Sequence, residues 1–134
     1  MKTIPSIEKF MTTTPHTIEA DVTIAKAFQT MSEFHVRHLP VLDGGKIVGI
    51  LSDRDIKMIE SFTDVDPERT KVRAAFTEEP YTVSPKAPIS EVCSEMASHK
   101  YSSVLVMDNH KLVGIFTWVD ALNAMHDLME TRLK

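Results

Sequence analysis

Two patterns in this chain set a hydroxyl three positions before a carboxylate, Ser52-x-x-Asp55 and Thr117-x-x-Asp120. Each closes a run that begins with glycine, GILSDRD at 49–55 and GIFTWVD at 114–120. An ionised aspartate only accepts hydrogen bonds, so it suits the two hydroxyls of a ribose and repels a phosphate. A helix beginning after the hydroxyl would add main-chain donors, and Gly49 or Gly114 would leave room for a flat group or for another backbone. The same spacing also fits a plain capping box, in which the hydroxyl accepts from a main-chain N–H and the acid favours the positive helix end. Both readings require a strand that ends where a helix starts. Other reactive residues lack company. His35-x-x-His38 has no further ligands for zinc, and Ser102-Ser103 has no His/Asp pair in motif spacing. Cys93 sits in an apolar stripe with nothing to lower its pKa. No metal and no catalytic residue is expected.

The elements that must position these residues occur twice. At an offset of 65 the chain matches itself without a gap, from Thr12/Thr77 through Ile24/Ile89, Met31/Met96 and Asp43/Asp108 to Gly49/Gly114 and Asp55/Asp120. Each copy opens with a short extended piece after proline, His16–Glu19 and Tyr81–Ser84. A helix follows, with apolar residues Ile24, Ala27, Phe28 and Met31 in one copy and Ile89, Val92, Cys93 and Met96 in the other. That spacing marks one buried face, and Pro88 suits a first helical position. Two β-rich runs follow, Leu39–Leu42 with Ile47–Leu51 and Val104–Met107 with Leu112–Phe116, each joined by a turn-forming loop. Second helices follow Ser52 and Thr117. The expected organisation is a first repeat over 1–62, a polar linker over 63–71, with Asp64 and Asp66 as solvated acids, and a second repeat with a C-terminal helix over 72–134.

Composition narrows the function. The 134 residues are 43% hydrophobic and 25% charged, with a formal net charge of −4. That balance lacks the basic stripe nucleic-acid binding needs, and no basic amphipathic segment suggests a membrane surface. Apolar runs are strand-sized, far below the ~20 residues of a membrane span. The N-terminus has no apolar signal region and there is one cysteine, so the cytoplasm is expected.

The order strand, helix, strand, strand, helix, together with VRHLPVLD and the endings GILSDRD and GIFTWVD, resembles cystathionine-β-synthase (CBS) domains. Two in tandem resemble the pair called a Bateman module. The resemblance covers nearly the whole chain. It implies an α/β fold of two pseudo-symmetric β-α-β-β-α repeats packed sheet to sheet, with three-stranded sheets. It also implies an adenosine nucleotide, AMP, ADP or ATP, held in the cleft between repeats as a regulatory ligand, with no required cofactor. Asp55 and Asp120 would hold ribose beside Ser52 and Thr117, and Gly49 and Gly114 would admit the ligand. Thr17 and Ile18, with Thr82 and Val83, would flank adenine. Arg37 and His38, helped by Arg54, would reach phosphates. Their counterparts in the second repeat are Ser102, Ser103 and Val119, and the pocket used stays open. Trp118, in the place of Asp53, is expected to pack half-buried on a neighbour. A binder of S-adenosylmethionine and an interaction module with non-binding pockets remain as alternatives. Met58, Ile59, Phe62, Leu122, Met125 and Met129 exceed what one core needs, so a homodimer of about 30 kDa is expected, signalling to a protein partner.

Overall fold

A computed structural model describes residues 3–132. Short strands β1 (Thr12–Thr13) and β2 (Ile18–Glu19) precede helix α1 (Ile24–Phe34), the hairpin β3 (His38–Asp43) and β4 (Lys46–Ser52), and helix α2 (Asp53–Glu60). The order then repeats as β5 (Thr77–Glu78), β6 (Thr82–Val83), α3 (Ile89–His99), β7 (Ser103–Asp108), β8 (Lys111–Thr117) and α4 (Trp118–Arg132). One-turn 3₁₀ helices at Ile7–Lys9 and Val72–Ala74 lead into β1 and β5. The chain forms two compact units, a first over 16–80 and a second made of the residues from Tyr81 onward together with those up to Pro15.

Each unit holds a four-stranded sheet, in the orders β2-β3-β4-β5 and β1-β8-β7-β6. This corrects the expectation of three strands. The fourth strand is borrowed: β5 pairs antiparallel with β4 in the first unit, and β1 pairs antiparallel with β8 in the second. An uncovered β4 or β8 would leave a row of unpaired main-chain groups, and the two-residue strands satisfy part of it. The compact units therefore do not follow the boundaries of the sequence repeat. Residues 63–71 are also more than a spacer, because Thr70 and Pro67 carbonyls accept from the Ile24 and Ala25 N–H groups at 2.8 and 3.0 Å. These are donors that the first turn of α1 cannot satisfy itself.

The core of the first unit gathers Ile24, Ala27 and Met31 from α1, Leu39 and Val41 from β3, Leu51, Ile56, and Val72 from the borrowed segment. The second unit repeats it with Ile89, Val92, Met96, Val104, Val106, Phe116 and Ala124, closed by Ile7. Phe28 departs from expectation: it is 58% exposed. At about 100° per residue it stands roughly 40° past Ile24 and 100° from Ala27, outside the stripe that α1 turns to the sheet. Pro88 is the residue before α3 rather than its first. Both hairpin tips need two left-handed residues, as type I′ turns do. Gly44 and Gly45 supply them in one copy; Asn109 and His110 (φ 50° and 66°) do so in the other. Among the described residues no helix is long and apolar enough to cross a membrane.

Candidate functional site

In the first unit β2 runs parallel to β3, and β3 antiparallel to β4, so the starts of β2 and β3 lie at the same edge as the end of β4. The edge collects Thr17 and Ile18, Arg37 and His38, and the Ser52–Asp55 turn into α2. His38 stands opposite Ser52, and the Arg37 carbonyl accepts the Asp53 N–H at 3.0 Å, tying β3 to the helix start. Arg37 and Arg54 are exposed and His38 is buried. The second unit builds the same edge from Thr82, Val83, Ser103, Thr117 and Asp120, with Ser103 opposite Thr117 and the Ser102 carbonyl accepting the Trp118 N–H at 3.1 Å.

The two acids are held by the main chain at the two strand-to-helix turns. Asp55 Oδ2 accepts the Ser52 N–H at 2.9 Å, and the Asp55 N–H donates to Ser52 Oγ at 3.1 Å, which completes a capping box on α2. Asp120 Oδ2 accepts the Thr117 N–H at 2.9 Å, with the return bond to Thr117 Oγ1 longer at 3.4 Å. Thr12, not singled out from sequence, donates its hydroxyl to Asp120 at 3.1 and 3.3 Å. The only hint of it is the Thr12/Thr77 identity within the repeat.

The two glycines face protein. A Cβ on Gly49 would strike the Thr77 carbonyl and the Phe76 ring, and one on Gly114 would strike Met11 and come to 3.0 Å from the Thr12 carbonyl. Their lack of a side chain is required by the borrowed strands, which is the close-backbone reading of a strand glycine. Ile18 has its side chain in the core and pairs its main chain with Val41, whereas Thr17 and Thr82 are exposed and Val83 is half-buried. Beside them, His16 stacks on Phe34 with ring centroids 3.7 Å apart, and Tyr81 stacks on Tyr101 at 5.2 Å. Burial, aided by Glu95, raises the Tyr81 phenol pKa.

Trp118 is 46% exposed and, with Tyr101, Met96, Leu122 and Cys93, lines an open apolar groove of about 280 Å³ between α3 and α4. Burial pushes the Cys93 thiol pKa up, away from nucleophile chemistry. Among the described residues no three His, Cys, Asp or Glu side chains gather as metal ligands.

Comparison with known proteins agrees with this architecture. The family model described as CBS domain matches residues 7–60 and 72–127. YlbB of Bacillus subtilis is 35% identical over 99 residues, covering 72% of this chain and 66% of that protein, so the match spans just under two thirds of the relative. Inosine-5′-monophosphate dehydrogenase of Bifidobacterium longum is 31% identical over 84% of this chain but only 21% of the enzyme. Among solved structures, a putative acetoin utilization protein (AcuB) from Vibrio cholerae is 28% identical, with a TM-score of 0.85 over 96% of this chain and 95% of that one. MJ0100 in complex with 5′-methylthioadenosine and S-adenosyl-L-methionine shares the fold at a TM-score of 0.84 and 24% identity, over 93% and 98% of the chains. CBSX2 in complex with AMP shares it at 0.79 and 23% identity, over 92% and 98%. Two copies of one β-α-β-β-α unit, each ending in a hydroxyl–aspartate turn and each matched by the family model, make this chain a member of the CBS domain family with one such domain per repeat.

Proposed function

We propose that this protein is a regulatory module, without catalysis of its own, that binds an adenosine nucleotide (AMP, ADP or ATP) and passes its occupancy to a protein partner in the cytoplasm. The observation that carries this reading is the pair of carboxylates, Asp55 and Asp120, each fixed through Oδ2 at a strand-to-helix turn. A carboxylate held this way is an acceptor already oriented for ribose hydroxyls, so little orientation is lost on binding. Thr17, Ile18, Thr82 and Val83 would flank the base, and Arg37, His38 and Arg54 would meet phosphate. Ser52, Thr117 and Ser103 would line the turns. Gly49 and Gly114 act on the site indirectly, by admitting the strands that back it. The fold accommodates AMP in CBSX2 and 5′-methylthioadenosine with S-adenosyl-L-methionine in MJ0100, which supports an adenosyl ligand and leaves S-adenosylmethionine as the competing choice.

A second reading has its own observation. The Ser52–Asp55 pair completes a capping box, as expected if the acids only cap helices and the chain is an interaction module. Thermal unfolding with adenosine, AMP, ADP, ATP and S-adenosylmethionine separates the readings. A bound ligand at 100 times its dissociation constant adds about 2.7 kcal/mol, and no shift from any of them leaves the interaction module.

Self-association is part of the proposal. Met58, Phe62, Leu122, Met125 and Met129 are exposed, while Ile59 is partly buried against the core and drops out of the expected set. Trp118, Leu122, Met125 and Met129 follow helical spacing along α4, a stripe suited to the same stripe of a second copy. A monomer mass in light scattering at micromolar concentration would overturn the homodimer.

A further inference from the structure

The borrowed segments are held by the same main-chain clasp in both units. Ile7 N–H donates to the Ala87 carbonyl at 2.8 Å, and its repeat counterpart Val72 donates to Val22 at 2.8 Å. Glu8 N–H donates to Pro85 at 3.1 Å, and its counterpart Arg73 donates to Ala20 at 2.9 Å. Ser6 bridges Pro88 as Lys71 bridges Thr23, again at matched positions. Ile7 and Val72 are both fully buried, and each segment lays its strand over a glycine. Main chain and anchor residue thus leave either segment a plausible occupant of either unit.

The side-chain charges do not. Arg73 donates through Nε and Nη2 to Asp21 at 3.1 Å and through Nη1 to Asp43 at 2.9 Å. At the corresponding place in the second unit Lys86 donates to Glu8 at 2.6 Å. The signs are inverted at both paired positions. Glu8 stands where the other segment has Arg73, and Lys86 stands where the other unit has Asp21, while Asp43 and Asp108 are common to both. We propose that this inverted pair is an address on two strand-docking surfaces: the β4 edge, flanked by Asp21 and Asp43, accepts segment 72–78 through Arg73, and the β8 edge, beside Lys86, accepts segment 7–13 through Glu8.

Exchange of the segments would set Glu8 against Asp21 and Asp43, three carboxylates together, and Arg73 against Lys86 with Asp108 as its one remaining acid. Specificity of this kind comes from the repulsion in the wrong pairing as much as from attraction in the right one. Each bridge is exposed and modest in itself. The wrong arrangement loses the Arg73–Asp21 and Lys86–Glu8 bridges and gains like-charge contacts at both places. Bulk adds a second difference, since Met11 covers Gly114 where Phe76 covers Gly49. The address applies equally to a segment offered by another copy of the chain, so it also opposes mispaired strand exchange between molecules.

The test reverses the segments and then the surfaces, in the full chain. Glu8→Arg with Arg73→Glu inverts only the segments; adding Asp21→Lys and Lys86→Asp exchanges the two clasps completely and leaves the composition unchanged. Amide hydrogen exchange over 7–13 and 72–78 at low salt is the readout. The double variant should exchange in these segments about tenfold faster or more, and the quadruple variant should return close to the native rate. A double variant that fails to fold beside a quadruple variant that folds supports the address equally. At about 1 M salt, where the screening length is roughly 3 Å, double and quadruple should converge. A double variant that keeps native protection at low salt, or a quadruple variant no better protected than the double, overturns the proposal.

Discussion

Asp55 and Ser52 bond each other in both directions, carboxylate to main-chain N–H at 2.9 Å and N–H to hydroxyl at 3.1 Å. The capping role seen here and the proposed ribose role are separable by chemistry. Capping needs an acceptor at the start of α2; ribose recognition needs two acceptor oxygens. The same division holds for Asp120, where Thr12 adds a donor carried on the borrowed segment.

Asp55→Asn retains one acceptor for the Ser52 N–H and turns the other oxygen into a donor. It should weaken nucleotide binding with little change in the melting of the free protein. Asp55→Ala also removes the acceptor of the Ser52 N–H, leaving only the Ser52 Oγ half of the box, and should cost about 1 kcal/mol of stability. Calorimetric binding alongside thermal melts of both variants checks this. Equal melting losses with unaltered affinity would restrict Asp55 to capping.

Gly49→Ala should be the more damaging of the two glycine substitutions. Its new methyl meets the Thr77 carbonyl and the Phe76 ring, neither of which can yield without displacing β5. At Gly114 the first obstacle is the Met11 side chain, which can turn aside, although the Thr12 carbonyl also lies close. Overpacking of this kind costs about 1–3 kcal/mol, so urea unfolding should place Gly49→Ala toward the upper end and Gly114→Ala below it. Unchanged stability with lost ligand binding would return the glycines to a direct ligand role.

Acid should loosen the clasps. The Lys86 hydrogen bond holds the Glu8 carboxyl pKa below its ordinary 4.5, and the Arg73 hydrogen bond and charge do the same for Asp43 below 3.8. A carboxylate whose pKa is depressed on folding stabilises the fold above its unfolded value, and that contribution is lost as pH falls through the folded one. Melting temperature should therefore fall on acidification below about pH 4.5, and Arg73→Ala and Lys86→Ala should each flatten that fall. Variants with the native slope would show that the bridges do not form in solution.

Much of this was legible in the residues. The gapless repeat announced two copies of one unit, and the helical stripe Ile24, Ala27, Met31 and both hairpins stand where their patterns placed them. The borrowed strands were hidden because β1 and β5 have two residues each, too short for any alternation to register. Their partners lie 103 and 29 residues away along the chain, at Thr12↔Ile115 and Gly49↔Glu78, separations about which local pattern is silent. Phe28 lies outside the core although its spacing fits, because a spacing of four sits at the margin of a stripe whose centre only packing decides. At the site, the hydroxyl–aspartate pairs were visible as motifs, but Thr12 was not, since it reaches Asp120 only through the borrowed segment.

Isothermal titration of the whole chain with AMP and ATP, set beside the Asp55→Asn/Asp120→Asn double variant, is the measurement closest to the central claim. Saturable heat for the native chain at ligand concentrations up to about 1 mM, an affinity scale of roughly −4 kcal/mol or better, and its loss in the double variant are the predicted result. No heat with either nucleotide, or the same affinity in the double variant, would contradict a nucleotide held by its ribose on these two aspartates.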